Sequence, residues 1–419
     1  MKIAILGYGV EGQSIEEYFK KHGAEEIKVY DDFDPADINA EELQNYDFVF
    51  RSPSVSPNKL PKIKNLTTAT KYFFENCPAK IIGVTGTKGK GTTCSLITAM
   101  LKSFDEKVHL VGNIGKSAIS VLDKIKENDV IVYEMSSFQL WDLEKSPHIS
   151  VILRIEPDHL NVHDDYDDYV SAKANIAAHQ TAEDYTIYYK NNPDSIKIAK
   201  TSLGTLIPYP AENNKLYKLI KENLNLPGEH NIENAEAAIF AVSSFYSQDL
   251  DTFLKSRNNT TKLKHGLQDF KGLPHRIEFI RELNGVKYYD DNYSSALPAL
   301  DVALKTFEDK PTILIAGGIN KGTDEGEIRD RIFSAPNLKK TILIGETKEI
   351  LSEKQNPLKY ICAETLEAAV EAAHDLAECY ADDGEEVIVL MSPGHASFDM
   401  FKNFSDRGEK YTKLIKKLK

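Results

Sequence analysis

A chain of 419 residues is too long for one ordinary hydrophobic core, so two or three domains are expected. Its composition, 41% apolar and 27% charged, is that of a soluble globular protein. A net charge of −13 with no basic stripe excludes a typical nucleic-acid binder, and no apolar run approaches the ~20 residues that cross a bilayer.

The first apolar stretch, Lys2–Leu6, stops at Gly7 and Gly9 and reads as a strand rather than a signal peptide. With Ile27–Tyr30 and Phe48–Phe50 it makes a small α/β unit over residues 1–77, about half of a full dinucleotide-binding domain. A second unit, 78–272, opens with Ile81–Val84, continues through Val130–Tyr133 and Ile149–Ile155, and carries a helix from His230 to Tyr246. Between Lys190 and Pro227, where Asn, Pro and Lys are frequent, a long irregular segment is expected. The third unit, 273–419, follows Gly272 and holds buried-strand signals at Thr312–Ala316, Thr341–Ile344 and Val387–Met391, with an amphipathic helix from Thr365 to Tyr380. Strand–helix alternation throughout predicts an α/β protein of mainly parallel sheets with flanking helices. The basic tail, Lys410 to Lys419, reads as a solvated helix end. Cys77, Cys94, Cys362 and Cys379 show no CxxC or Cys/His metal spacing, which fits a reducing cytoplasm.

Two glycine-rich turns carry chemistry. Gly7-Tyr8-Gly9-Val10-Glu11-Gly12 follows the first strand, with Asp31 some way downstream, and forms the fingerprint that seats a diphosphate on a helix N-terminus. Read alone it points to NAD and a dehydrogenase. The unit is too short for that, and a stronger phosphate loop lies downstream, in Gly86-Thr87-Lys88-Gly89-Lys90-Gly91-Thr92-Thr93 after the run Ile81–Thr85. Glycines let backbone N–H groups converge on phosphate oxygens, and the helix that follows adds its partial positive charge. Lys90 is placed to reach the β/γ-phosphates, and a threonine hydroxyl to meet Mg²⁺. The loop is not a strict Walker A, because the leading glycine of GxxxxGK would fall at Val84.

T-G-T-x-G-K resembles the nucleotide loop of the Mur ligases and of folylpolyglutamate synthase. Gly91, where Mur ligases place Ser or Thr, is closer to the second, and leaves Thr92 the metal-facing role. Other motifs are similar to the Mur ligases, in particular their D-glutamate-adding branch. They are Glu134-Met135-Ser136-Ser137-Phe138-Gln139-Leu140, Asp158-His159, Tyr169-Val170-Ser171-Ala172-Lys173, Gly112-Asn113-Ile114-Gly115, His230-Asn231-Ile232-Glu233-Asn234, Pro274-His275-Arg276 and the stretch Ser392 to Phe404. The matches run from Gly7 to Gly408, nearly the whole chain. Folylpolyglutamate synthase has no N-terminal domain of this size before its loop.

The resemblance implies three domains: Rossmann-like units at both ends, 1–77 for a UDP-linked substrate and 273–419 for an amino acid, around a P-loop-type ATPase unit, 78–272. It implies a cytoplasmic, monomeric ligase of peptidoglycan precursor synthesis. D-glutamate would be added to UDP-N-acetylmuramoyl-L-alanine through an acyl phosphate, with ATP and two Mg²⁺ ions. Alternatives are another amino acid, such as L-glutamate, or a folylpolyglutamate synthase-like reaction. By resemblance Lys90, Lys173 and His159 are catalytic. Thr92, Glu134, His159 and a carbamylated Lys173 hold the metals. Gly86 to Thr92, Asn234, Arg276 and Asp291 bind ATP. Gly9, Val10, Glu11, Asp31, Asp32, Ser52, Pro53, Asn113 and His159 serve the UDP substrate. Ser295, Lys321, Ser397, Phe398 and Phe404 serve the amino acid. The chain departs from the family at Asp291-Asn292-Tyr293-Ser294-Ser295-Ala296, where D-S-K-A-T-N is usual, so Tyr293 replaces a lysine. His395 replaces a small residue, and either substitution is a candidate to compensate the missing charge.

Overall fold

The computed structural model describes residues 1–320, 322, 324–381 and 385–419. The chain forms two compact units, Met1–Leu224 with His230–Phe270, and Asn225–Glu229 with Lys271–Lys419. Among the described residues no helix is long and apolar enough to cross a membrane.

The first unit holds two sheets. Strands β1 (Lys2–Leu6), β2 (Glu26–Tyr30), β3 (Phe48–Arg51) and β4 (Leu66–Thr67) stand in the order β2-β1-β3-β4, all parallel. The larger sheet contains β5 (Lys80–Thr85), β6 (Val108–Gly112), β7 (Val130–Glu134), β8 (Ile149–Ile152), β9 (Tyr185–Tyr189) and β10 (Thr205–Tyr209). Its order is β10-β9-β8-β5-β7-β6, again parallel throughout. β5, β7 and β8 read as unbroken apolar runs because helices cover both faces. One core gathers Leu96, Ile97 and Ala238, the other Phe73, Tyr133 and Tyr169. The chain crosses from β5 over β7 to β6 and later builds outward from β8, so the strand order reverses at β5. Open α/β sheets bind ligands at such a switch point, outside the strands' C-terminal ends.

Lys190–Pro227, expected to be irregular, is ordered into the helix Pro193–Ala199, β10 and the helix Asn214–Asn223. Its Asn and Pro residues are start signals. Asn192 and Asn213 cap the two helices through their side chains, and Pro193 sits in the first turn, where its missing N–H costs nothing. Pro208 lies in an edge strand, where a proline is tolerated.

The two sheets of the first unit are tied by buried polar contacts. Arg51, wholly buried at the end of β3, donates to Asp142 at 2.8 Å and to the Val55 carbonyl at 2.7 Å. Gln139 donates to Glu11 at 2.6 Å. Burial pushes the Glu11 carboxyl above its usual range, against Gln139 and Arg51, which pull it down. Both contacts end on or beside the helix Ser137–Leu140, which follows β7 directly.

The second unit is built on β11 (Glu278–Leu283), β12 (Val286–Asp290), β13 (Thr312–Gly317), β14 (Leu338–Ile344), β15 (Tyr360–Cys362) and β16 (Val387–Met391). The order is β11-β12-β16-β13-β14-β15. All pairs are parallel except β11–β12, a hairpin turning on Asn284-Gly285 with φ of 50° and 80°. Asn-Gly is the pair that such a two-residue turn favours. The basic tail belongs to the helix Phe404–Lys417, which is solvated on one side and buries Tyr411 and Ile415 on the other.

Arg407 of that helix is wholly buried and collects the C-terminal ends of three strands. It donates to Asn292 Oδ1 just past β12 at 2.7 Å, to the His395 carbonyl past β16 at 3.1 Å and to the Gly317 carbonyl ending β13 at 3.5 Å. Burial lowers its pKa to about 10, although Asp399 and Asp290 oppose the shift. Arg407→Met would leave these acceptors buried without a donor. We expect a loss of about 3 kcal/mol, read as a lower urea midpoint of the whole chain with an unchanged slope.

Candidate functional site

The loop after β5 fits a phosphate cradle. Gly86 has φ of 155° and faces Leu153, whose Cβ would lie 2.6 Å from an added methyl; Gly89, at φ 86°, has Asn234 Oδ1 at 2.5 Å. Side chains are excluded at both, which leaves backbone N–H groups to line the cradle. Lys90 opens the helix Lys90–Ser103, and its ammonium reaches back to the Gly86 and Thr87 carbonyls at 3.0 and 2.9 Å. Thr87 is engaged internally: its hydroxyl donates to the Glu156 carbonyl and lies 3.0 Å from Tyr169 Oη. Lys88 is exposed. Thr92 is half-buried at the loop, whereas Thr93 is buried and donates to Asn234 Oδ1 at 3.4 Å. The structure thus brings Asn234, from the helix Glu229–Phe245, against the phosphate loop.

Lys173 comes from the helix Tyr166–Ala174, capped by Asp165. Its buried Nζ donates to the Gly86 carbonyl at 3.1 Å and to Thr85 Oγ1 at 3.3 Å, and lies 4.8 Å from the Tyr169 ring centre. Burial holds its pKa well below the ordinary lysine value; Lys90 adds to the depression, and Asp158 and Glu134 oppose it. Glu134, at the end of β7, is buried. The Asn113 N–H donates to the Glu134 carbonyl at 3.4 Å, and Gly112, with φ 112°, lets that strand end approach. His159 adopts φ of 55° and is half-exposed. Desolvation depresses its pKa, Lys90 and Lys173 contribute, and Asp158 opposes them. Lys90, Lys173, Glu134 and His159 therefore converge at the C-terminal ends of β5, β7 and β8.

At the small sheet, a cavity of about 400 Å³ is lined by Gly7, Asp31, Asp32, Ser56, Lys59 and others. Asp31 accepts the Tyr8 N–H at 2.9 Å, which fixes the glycine turn. Ser52 is buried, with its hydroxyl on the Gly7 carbonyl, its N–H on the Leu6 carbonyl and its own carbonyl accepting the Val55 N–H. Pro53 is half-buried and Val10 is exposed. Glu11 turns instead toward Gln139.

In the second unit, Asp291 is buried, accepts Ser392 Oγ at 2.7 Å and the Ile277 N–H at 3.2 Å, and is pushed up to about 7 by burial. Ser397 is buried with an unpartnered hydroxyl, while Ser295, Phe398 and Phe404 are exposed. Lys321 lies outside the described residues. His395 has both ring nitrogens engaged, Nδ1 with the Pro393 carbonyl at 3.1 Å and Nε2 with the buried Glu325 at 2.7 Å. It therefore has no N–H left to replace the missing lysine. His275, Glu278 and Asp290 offer ligand atoms within 4.8 Å of one another. They are joined by hydrogen bonds of 2.8 and 2.9 Å that pin a turn, and the bond to Asp290 raises the His275 pKa.

Sequence reasoning missed one buttress. His163 is buried, bonded to Asp168 at 2.8 Å and to Ser137 Oγ at 2.9 Å, and stacked on Phe138 at 5.3 Å. It locks the segment after Glu134 to the loop after His159. Its spacing, four residues beyond His159, was the only signal available.

A family model described as the Mur ligase middle domain matches residues 84–242. The UDP-N-acetylmuramoylalanine–D-glutamate ligase of Clostridium botulinum (strain Langeland) is 32% identical, covering 100% of this chain and 97% of that protein. The protein of the same name from Acetivibrio thermocellus is 32% identical over 99% of this chain and 96% of its own length. Among solved structures, the UDP-N-acetylmuramate–alanine ligase of Thermotoga maritima has a TM-score of 0.59 at 14% identity, covering 99% of each chain. Folylpolyglutamate synthase of Mycobacterium tuberculosis, complexed with ADP, has a TM-score of 0.59 at 14% identity, over 83% of this chain and 93% of that one. At such identities these likenesses concern the fold.

Gly89→Ala would force a methyl onto Asn234 and a strained backbone onto alanine. We expect a cost of about 1–3 kcal/mol, seen as a lower melting temperature, and loss of the stabilisation that a nucleotide gives the parent chain.

Proposed function

The chain belongs to the Mur ligase family of ATP-dependent ligases, and we propose that it adds D-glutamate to the carboxylate of UDP-N-acetylmuramoyl-L-alanine. The observation that carries the ligase chemistry is the convergence of Lys90, Lys173, Glu134 and His159 at one sheet end. Full-length likeness to ligases named for D-glutamate supports the amino acid. The likeness to folylpolyglutamate synthase stops at the fold. In this reading residues 1–77 hold the UDP-linked substrate, 78–272 the nucleotide and 273–419 the amino acid.

ATP supplies its γ-phosphoryl group to the substrate carboxylate, giving an acyl phosphate; the incoming amine attacks the acyl carbon and displaces inorganic phosphate, and Mg²⁺ would neutralise charge in the phosphoryl transfer. The chain's part is positioning. The N–H groups from Gly86 to Gly91 cradle phosphates, and Lys90 meets them with its ammonium. Thr92, whose hydroxyl is the accessible one of the pair, and Glu134 are fitted to hold one Mg²⁺. Lys173 and His159 are fitted to hold a second. An unprotonated amine is what CO₂ requires: Lys173 Nζ forms the N–C bond, releases a proton and becomes a carbamate, an oxygen donor that Mg²⁺ prefers. Burial and the neighbouring Lys90 favour that unprotonated state. Gly9, Val10, Glu11, Asp31, Asp32, Ser52, Pro53 and Asn113 serve the UDP substrate in this reading, Asn234, Arg276 and Asp291 the nucleotide, and Ser295, Lys321, Ser397, Phe398 and Phe404 the amino acid.

Phosphate release with UDP-N-acetylmuramoyl-L-alanine and a panel of D- and L-amino acids tests the substrate. D-glutamate should give the highest kcat/KM. Turnover with only another amino acid would overturn the specificity and leave the family standing. Lys321→Ala should raise the D-glutamate KM about ten- to a hundred-fold, the worth of one charge-assisted hydrogen bond, with the KM of the muramoyl substrate unchanged.

Lys173→Ala should lose nearly all turnover and recover part of it with a short carboxylic acid. Labelled bicarbonate should give a carbamate carbon resonance in the parent chain and none in the variant. An active parent without that resonance would remove the carbamate.

A further inference from the structure

Arg276 and Tyr293 meet in the second unit in a way that neither motif explains. The guanidinium carbon of Arg276 lies 3.8 Å from the centre of the Tyr293 ring. Phe404 backs that ring edge-on, at 5.2 Å between centres and 84° between planes. The Tyr293 N–H donates to the His275 carbonyl at 2.9 Å, so the backbones carrying ring and guanidinium are bonded to each other. His275 is itself fixed by Asp290 and Glu278. Among the described residues the Arg276 side chain makes no hydrogen bond or ion pair; its guanidinium lies over the ring, and its charge acts on the buried Asp291 carboxyl.

A guanidinium stacked on an aromatic face keeps its N–H donors in its own plane, directed outward, where they match the oxygens of a phosphate. We propose that Tyr293 is a positioning residue for Arg276, presenting the guanidinium to the phosphate oxygens of the nucleotide. This rests on the reading that Arg276 serves ATP. Where the family carries a lysine, this chain exchanges an ammonium aimed at the amino acid for a platform that orders an arginine. The stack restricts a side chain that would otherwise lose rotamer freedom on binding, so its effect falls on nucleotide affinity.

Steady-state phosphate release by the full-length chain tests this with Tyr293→Leu, Tyr293→Phe, Arg276→Ala and the double variant Tyr293→Leu/Arg276→Ala. Tyr293→Leu should raise the KM for ATP about two- to five-fold, the worth of an exposed cation–π contact. The KM for the amino acid and the melting temperature should be unchanged, and Tyr293→Phe should behave as the parent. Arg276→Ala should raise the ATP KM further, and the double variant should add nothing to it, because the ring acts only through the arginine. A rise in the amino-acid KM with the ATP KM unmoved, or full additivity in the double variant, overturns the proposal. If Arg276→Ala raises the ATP KM and Tyr293→Leu does not, the stack alone is refuted. If Arg276→Ala leaves it unchanged, the assignment of Arg276 to the nucleotide falls, and the proposal with it.

Discussion

Two lysine ammonium positions converge on one carbonyl oxygen. Lys90 reaches the Gly86 oxygen at 3.0 Å from the loop's own helix, and Lys173 reaches it at 3.1 Å from beneath. Each amine has a further neutral oxygen, the Thr87 carbonyl for Lys90 and Thr85 Oγ1 for Lys173, and the Lys90 charge disfavours a second one on Lys173. The burden falls on the member without access to water. Lys173 is buried and has its pKa depressed, while Lys90 stays half-buried at the loop's mouth. The shared carbonyl thus brings one buried and one half-buried lysine together. Gly86 makes this possible, since its φ of 155° and its contact with Leu153 admit no side chain.

Much else in the first unit serves that carbonyl. Thr87 ties the loop to Glu156 and Tyr169, and Tyr169 shares a helix with Lys173. His163 bonds Ser137, two residues from Met135, whose own carbonyl accepts from Thr85 Oγ1. Loop, β7 end and the Lys173 helix thus form one hydrogen-bonded block. Arg51 and Glu11 extend it to the small sheet. Arg51 is buried and Glu11 partly so, and their partners lie on or beside the helix after β7, so these contacts fix relative placement more than they add stability.

What was legible in the sequence was local. The phosphate loop declares itself through glycines and a lysine at fixed spacing, and the strands β1, β5, β7, β13 and β16 through continuous apolar runs. Misreading began where one residue type carries two messages: Asn192, Pro193 and Asn213 suggested irregularity and are helix caps. The hairpin at Asn284-Gly285 is legible in that pair of residues, but the strand–helix alternation around it points to parallel pairing. Burial was the other blind spot. Nothing in the spacing of Arg407 or His163 announces that each is enclosed, because enclosure depends on strands far apart in the chain that meet only in the sheet. The depressed pKa of Lys173 is of this kind too, since it comes first from burial and then from Lys90, 83 positions earlier, at the same carbonyl.

The second unit shows how a departure from a family pattern is absorbed. Replacing a lysine by Tyr293 removes a positive charge, and the ring takes up the guanidinium of Arg276. Replacing a small residue by His395 introduces a buried imidazole, and Glu325 meets it at 2.7 Å while the Pro393 carbonyl takes the other nitrogen. One oxygen of Glu325 remains buried without a partner, as does the Ser397 hydroxyl, on the turn that His395 anchors. A buried polar atom without a partner costs about 1–3 kcal/mol. Asp399 Oδ1, on the same turn, is a third such atom, so pairing the new imidazole with Glu325 does not by itself satisfy the polar groups around it.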